Sequence, residues 1–429
     1  SLDEPFLTRF PRFYAADMTW ETDAQILQYL DAMQAHGRSA FVNIVQPAIL
    51  SGDTATIQAR VNALKSHPAL AGWYLFDEPE FYSVTQQQLE TAYQAIKAVD
   101  ALHPVTFAAP GFAPGYTFLN AMDYGILDPY PIPNAPPSDI LTNLANARAT
   151  GKAFDYTIQA WEADMNLRWP GDVPNPTRFP SREETRSLSY LALNGGTTNL
   201  LFYGFGEAHI VPGVTWEWMK TADVANELIR LGPIYASTDA PLIAVDLPSL
   251  PAELDAGVRQ WQGKAYVTVV NKTAAPVSRT VTFSGWLIQS AKEVVGQRSV
   301  TRTSTSLTDT WPAFGVNVYE LTIAIQAPTN LVGTPLAGRV NRLTWTDNAA
   351  NESGFEVQRA LKSGSTCGTY ATIGTAQAAS GTGSTVTYND VGTGSNAPLA
   401  TKTYCYQVRT THAQGASSWA GPVSVKTKN

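Results

Sequence analysis

The feature that most constrains this chain is an alternation of short apolar runs with amphipathic stretches, sustained from about residue 17 to residue 235. Apolar residues recur at helical spacing in 23–36, 54–67, 86–102, 138–150, 182–194 and 216–231. Between these lie strand-like runs at 39–46, 70–76, 105–108, 124–128, 154–160 and 199–205. A helix between two strands returns the chain to the same end of the sheet, so the strands pair in parallel. Repeated this often, the pattern predicts a closed (β/α)8 barrel over residues 1–235. No GxGxxG or GxxxxGK[ST] follows a strand, so an open nucleotide-binding sheet loses its usual support. Before Ser39 only the stretch around Arg12 to Met18 can supply strands, and the barrel is therefore expected to be one strand short, irregular or trimmed at its N-terminus.

With 44% hydrophobic and 15% charged residues, the chain can fill a large core. No apolar run approaches the roughly 20 residues of a membrane-crossing helix, which predicts a soluble protein without a membrane span. A net charge of −7 without any cluster of Lys and Arg argues against nucleic acid as a partner. The five histidines, His36, His67, His103, His209 and His412, never approach metal-ligand spacing, so neither a metal nor another cofactor is expected. The 11 tryptophans suit a carbohydrate ligand gripped by flat aromatic faces, while core filling accounts for such residues equally well.

Residues 72–80 read GWYLFDEPE, an apolar strand that ends in three carboxylates and a proline. Asp77, Glu78 and Glu80 are too costly to bury unpaired, roughly 2–7 kcal/mol even for an uncharged polar group, so they belong where the strand emerges. In a parallel barrel that is the C-terminal mouth, where such folds keep their chemistry. Pro79 fixes the backbone and sets Glu78 on a stiff corner, as a catalytic acid requires. The plainer alternative is a turn, with Asp77 capping the loop and Pro79 ending the strand.

Two further domains are expected. Residues 236–325 carry alternating strands such as AYVTVVN (265–271) and VNVYEL (316–321), which predict a β-sandwich packed on the barrel. Residues 326–429 contain LTWTD (343–347), GFEVQRA (354–360) and YCYQVRTT (404–411), with turn signals at the spacing of a small sandwich. Cys367 and Cys405, the only cysteines, are too far apart for a CxxC motif and predict one disulfide, hence a secreted or extracytoplasmic protein. Ser1 to Phe6 lacks a basic and apolar leader, so the chain reads as a mature or trimmed form of an exported protein; separately, a monomer is expected.

The last segment resembles a fibronectin type III domain of bacterial extracellular enzymes, with Trp345 at the expected core position. The barrel resembles the retaining glycoside hydrolases built on TIM barrels, whose acid/base glutamate ends the fourth strand and whose nucleophile ends the seventh. GWYLFDEP is similar to that family's fourth strand, DYGILDPYP to its sixth and YTIQAWE to its seventh, over roughly residues 40–235. The resemblance implies Glu78 as acid/base and Glu162 as nucleophile, three strands apart. The sequence departs from the family at Asp77, which stands where the family has an Asn that bonds the sugar 2-hydroxyl.

Asp128, Tyr130, Trp161, Tyr203 and Glu207 lie at later strand ends and join Asp77 as candidate substrate-binding residues, with Glu207 a rival nucleophile. Trp169, Phe205 and Trp216 are further stacking candidates, and Asn43 and His209 possible hydrogen-bonding partners of substrate. Glu162 can also be read as a loop acid paired with Arg168 or Arg178. Glu78 needs a raised pKa to act as an acid, supplied by apolar neighbours such as Trp73 or by a second carboxylate. Two other functions fit the same residues. Asp77–Glu78 resembles the pair of substrate-assisted hexosaminidases, and a degenerate barrel could bind carbohydrate without cleaving it.

Overall fold

The computed structural model describes residues 12–15, 21–160, 178–203, 215–239, 250–283, 287–349, 352–379, 382–391, 397–412 and 415–429, with backbone alone at 12–15 and 215–219. The chain divides into two compact units, one comprising Ser1–Leu231, Val270–Pro276 and Pro312–Val316, the other Gly232–Val269, Val277–Trp311 and Asn317–Asn429.

In the first unit the order is β1 (Arg12–Ala15), α1 (Asp23–Ala35), β2 (Ser39–Asn43), α2 (Gln46–Ser51), α3 (Thr54–Leu64), β3 (Leu70–Asp77), α4 (Gln86–Val99) and β4 (Val105–Ala109). It continues with β5 (Gly125–Leu127), α5 (Ile140–Ala149), β6 (Phe154–Gln159), α6 (Arg182–Asn194), β7 (Leu200–Tyr203) and α7 (Thr215–Tyr235). The helices start where the sequence offers caps. Thr22, Thr85 and Ser181 each accept from the N3 amide of α1, α4 and α6, and the N3 side chains Gln25, Gln88 and Glu184 return the bond.

The seven strands pair in parallel and in chain order, β1 to β7. Right-handed crossovers without a reversal of order put every helix on one face, and the other face must bury itself by curling. The rings of Phe41 on β2 and Tyr124 at the start of β5 lie 6.3 Å apart. On a flat sheet, strands three apart are separated by about 14 Å at roughly 4.8 Å per strand. Phe41, Tyr74, Ala108 and Ile126, one from each of β2 to β5, form a single buried cluster with Leu201 of β7 packed against it. Gly72 makes room for it: a Cβ there would come within 2.3 Å of the Phe41 ring and 2.7 Å of the Pro104 carbonyl. Trp73, next along β3, faces the helices and donates its indole N–H to Asp100 just beyond α4, at 2.9 Å.

Three expectations are revised. Among the described residues the parallel sheet has seven strands, so GWYLFDEP is the third of them, because β1 is the one strand that precedes Ser39. The last helix does not stop at Gly232 and Pro233 but runs through both to Tyr235. Proline this close to a helix end forfeits one hydrogen bond in the final turn, far less disruption than in mid-helix. The turn α2 has no counterpart in the sequence reading, since QPAILS is too short to show a period; Pro47 favours its first turn and Gly52, at φ 71°, closes it.

In the second unit, β8 (Leu254–Trp261), β9 (Lys264–Asn271), β11 (Leu287–Glu293), β12 (Arg298–Ser299) and β15 (Val316–Ala324) form a five-stranded sheet, and β10 (Val277–Thr282), β13 (Thr301–Arg302) and β14 (Ser306–Trp311) a three-stranded one. Val267, Val269, Leu307, Trp311 and Tyr319 from both sheets share one core. Farther on, β16 (Thr329–Leu336), β17 (Val340–Thr346) and β21 (Thr385–Asp390) make one antiparallel sheet, and β18 (Gly354–Ser363), β19 (Thr366–Cys367), β20 (Ala371–Gln377), β22 (Thr403–His412), β23 (Gly415–Ala416) and β24 (Ala420–Lys426) a second. Trp345 and Phe355, from opposite sheets, meet edge to face at 5.4 Å in their common core. Cys367 and Cys405 are joined by a disulfide.

Beyond β17, Asp347 is fully buried beside Glu352. Burial first, and then the Glu352 carboxyl, push the Asp347 carboxyl up from 3.8 to about 6 despite an amide hydrogen bond from Ala349. A folded-state pKa above the unfolded value means that this group stabilises the fold fully below about pH 4 and ceases to do so as pH rises through about 6. Asp347→Asn stays neutral throughout. Relative to wild type, its melting temperature should therefore rise between pH 4.5 and pH 7.5, by roughly 4 °C, the order expected of 1 kcal/mol in a small domain. Thermal melts at the two pH values check this, and a constant offset would overturn it.

Candidate active site

The acidic end of β3 owes its shape to a bulge. Tyr74 pairs with Thr106 and Asp77 with Ala108, so three steps along β3 match two along β4. Strict alternation would put Tyr74 and Asp77 on opposite faces; the extra residue brings them onto the same one, as bulges beside functional sites commonly do. The Tyr74 hydroxyl donates to Asp77 Oδ1 at 2.5 Å. Asp77 thus accepts a hydrogen bond on the face that Tyr74 occupies.

Glu78 follows with φ 41° and ψ 62°, the left-handed region. For a non-glycine residue before proline this conformation is disfavoured twice, and backbone outliers of this kind cost about 1–3 kcal/mol. The corner is held by its hydrogen bonds: the Glu78 amide donates to Ala108 O at 3.1 Å, and Phe81 and Tyr82 donate to the carbonyls of Glu78 and Pro79 at 3.1 and 3.2 Å. Glu80, on the turn itself, accepts a hydrogen bond from the Tyr116 hydroxyl.

Asp128 stands at the end of β5, and its amide donates to Ala109 O at 3.1 Å. Glu78 and Asp128 therefore hang from consecutive carbonyls of β4. Asp128 is 6% exposed, and among the described residues its Oδ1 has no hydrogen-bond donor. The segment that follows is held by Gln159, the fully buried last residue of β6, which donates to Ile132 O at 2.7 Å and accepts from Ile132 N at 3.0 Å. Tyr156 of the same strand donates to Pro129 O at 3.3 Å. The rings of Tyr130 and Tyr203 lie 5.8 Å apart and 30° from parallel.

These carboxyls repel one another, and burial strengthens the effect. Burial first, then the charges of Asp77 and Glu80, raise Glu78 to about 7. Burial above all, then Glu78, Asp77 and Glu80, hold Asp128 well above the usual carboxylate range. Near neutrality Glu78 divides between acid and base, and Asp128 is shifted in the same direction, as expected of interacting carboxyls in a catalytic site. Of the two causes expected, burial comes first and neighbouring carboxylates second, while the Trp73 indole itself is bonded to Asp100 on the helix side.

Of the residues singled out in the sequence, Asp77, Glu78, Asp128, Tyr130 and Tyr203 occupy the C-terminal strand ends, and Asn43, 1% exposed, ends β2. Trp161, Glu162, Trp169, Phe205, Glu207 and His209 lie outside the described residues, as does the side chain of Trp216. Arg178, one of two cations considered as a plain partner for Glu162, instead forks Glu184 with bonds of 2.6 and 2.8 Å. Sequence reasoning assigned no role to Tyr74, Gln159 or Tyr116. The bulge hides the first, and the second is one of several polar residues, with Asp155 and Thr157, in its strand, so nothing local sets it apart. Among the described residues no cluster of three or more His, Cys, Asp or Glu is arranged to hold a metal ion.

No family model matches the chain, and no curated protein matches its sequence. In structure it is similar to a β-galactosidase from Bacillus circulans sp. alkalophilus, with a TM-score of 0.54 and 9% identity over 74% of this chain and 95% of that one. An Anoxybacillus α-amylase superposes with a TM-score of 0.48 at 10% identity, covering 74% and 88% of the two chains. A GH30 endoxylanase from Clostridium papyrosolvens C71 gives 0.45 at 13% identity, covering 72% and 88%. At 9% identity the first likeness speaks for the fold alone, a curled parallel sheet of the kind found in TIM-barrel enzymes.

The coupling between carboxyls is directly measurable. Followed by 13C NMR, the Glu78 carboxyl should titrate with a midpoint near 7, and Asp77→Asn, by removing a negative neighbour, should lower it. An unmoved midpoint would show that Asp77 does not act on Glu78.

Proposed function

We propose that the protein is a glycoside hydrolase that cleaves a poly- or oligosaccharide with retention of configuration, Glu78 being the general acid/base and Glu162 the nucleophile. The observation that carries this reading is Glu78 itself: a carboxyl fixed at a barrel-strand end, with its pKa raised to about 7. A group poised there can deliver a proton near neutral pH and take one back. Glu162 enters by its place in the chain, three residues beyond the end of β6, the third strand after β3.

Protonated Glu78 gives its proton to the glycosidic oxygen as the bond from that oxygen to the anomeric carbon breaks. The Glu162 carboxylate attacks the same carbon, and a glycosyl ester forms while the leaving sugar departs as an alcohol. Glu78, now a carboxylate, takes a proton from water; the water oxygen displaces Glu162, which restores both groups and the configuration. Asp77, Asp128, Tyr130, Trp161, Tyr203 and Glu207 are assigned to substrate binding. Asp128, whose burial favours its neutral form, is placed to bond a sugar hydroxyl, and Tyr130 with Tyr203 supplies aromatic surface. Residues 326–429 are read as a fibronectin type III-like domain of a secreted, monomeric enzyme.

A second reading has one observation in its favour. The bulge in β3 turns Asp77 onto the face of Tyr74, whose hydroxyl bonds it. A carboxylate so held suits substrate assistance, in which Asp77 orients a 2-acetamido group that attacks the anomeric carbon and Glu162 has no covalent part.

On a panel of aryl glycosides and oligosaccharides, Glu78→Gln should lower turnover by about 10²–10⁴ while leaving the fold intact. Wild-type rates on substrates with poor leaving groups would exclude Glu78 as the acid. Glu162→Gly should be inactive alone and recover with azide, which fills the vacated space and attacks the anomeric carbon. An active Glu162→Gly enzyme without azide, together with a strict need for 2-acetamido sugars, would favour substrate assistance instead.

A further inference from the structure

Two large aromatic side chains stand in solvent on the turn that carries Glu78: Phe81 is 68% and Tyr82 61% exposed. The other large hydrophobic side chains exposed among the described residues of the first unit are Leu50, Leu102, Ile229 and Tyr203. Among the described residues its exposed aromatics therefore all sit at the C-terminal ends of parallel strands, Phe81 and Tyr82 after β3 and Tyr203 on β7.

This surface is held rigidly. The short helical turn Pro79–Phe81 is closed by the amides of Phe81 and Tyr82, and the Val84 amide donates to Tyr82 O at 2.7 Å while the Val84 side chain is buried. Tyr82 rests edge to face on the buried Phe76, with ring centroids 5.7 Å apart. Glu80, between the two rings and the acid, is held by Tyr116, which itself packs against Phe112 and Phe118 at 5.0 and 5.6 Å. A turn closed this way, with the Tyr82 ring seated on Phe76, loses little freedom when a ligand arrives.

We infer that Phe81 and Tyr82 form a stacking surface for the sugar ring on the leaving-group side of the scissile bond, an inference that rests on the glycosidase reading above. The side follows from chain distance. A general acid must lie within hydrogen-bond reach of the glycosidic oxygen, and the first ring beyond that oxygen belongs to the leaving group. Phe81 and Tyr82 follow Glu78 by three and four residues in a turn that advances only about 2 Å per residue, close to the span of one pyranose ring. The ligand class is a pyranose with an apolar face of C–H groups, which an aromatic face covers at the expense of water.

The test compares two substrates of wild type and of a Phe81→Ala/Tyr82→Ala double variant: the best oligosaccharide from the panel above, and the glycosyl fluoride of the same donor sugar, whose leaving group has no ring. The ratio of kcat/KM on the oligosaccharide to that on the fluoride should fall about ten- to a hundredfold, chiefly through KM, as expected for the loss of one or two aromatic stacking contacts. Phe81→Trp/Tyr82→Phe, which keeps two aromatic faces, should restore it. A ratio within twofold of wild type in the double alanine variant would overturn the inference, as would a fall that the aromatic replacement does not reverse. Wild-type hydrolysis of neither substrate would remove the glycosidase reading, and this inference with it.

Discussion

Two consecutive carbonyls on β4, those of Ala108 and Ala109, accept the amides of Glu78 and Asp128. Everything distinctive about the acidic site follows from this pairing. It is ordinary parallel-sheet hydrogen bonding carried one residue past the strand ends, yet it fixes two acids on either side of one strand. Carboxyls placed so in a partly dehydrated setting cannot all ionise, and part of the free energy of folding is spent on keeping them together. The curled sheet sustains that cost because its interior packing, from Phe41 to Leu201, is formed by other residues lower in the barrel.

The backbone at Glu78 adds to the same account. Its left-handed conformation is disfavoured for a residue before proline, and it persists because the Ala108 carbonyl and the turn after Pro79 determine it from both sides. A strained carboxyl at a strand mouth, among like charges, is poorly explained by stability alone. Function is the economical explanation for why such an arrangement is kept.

Much of this was legible in the sequence. The alternation of strand and helix marked out the parallel sheet because its period changes are strong, and the run of Trp73, Tyr74, Leu75 and Phe76 followed by acids marked the mouth because buried strands exclude charge. What was hidden depends on register and on partners remote in the chain. The bulge between Tyr74 and Asp77 is a property of β3 paired with β4, and no pattern within β3 announces it. Gln159 looked like one more strand residue; only its reach to Ile132, 27 positions earlier, gives it a purpose. Both sources of the raised Glu78 pKa were anticipated, burial among apolar neighbours and a second carboxylate, but that Trp73 points its indole to the helix side was not, because alternation alone does not say which face is the interior.

Gln159 grips the backbone of Ile132 through both its amide and its carbonyl, and touches no side chain in doing so. The path of the segment from Asp128 to Ile132 is thereby separated from the identity of the residues along it. Tyr130 could be exchanged for a larger, smaller or charged side chain without releasing the anchor. On the reading proposed above, in which Tyr130 binds substrate, a lineage built on this frame would change what it recognises by drifting at that position while the Ile132 anchor stays where it is.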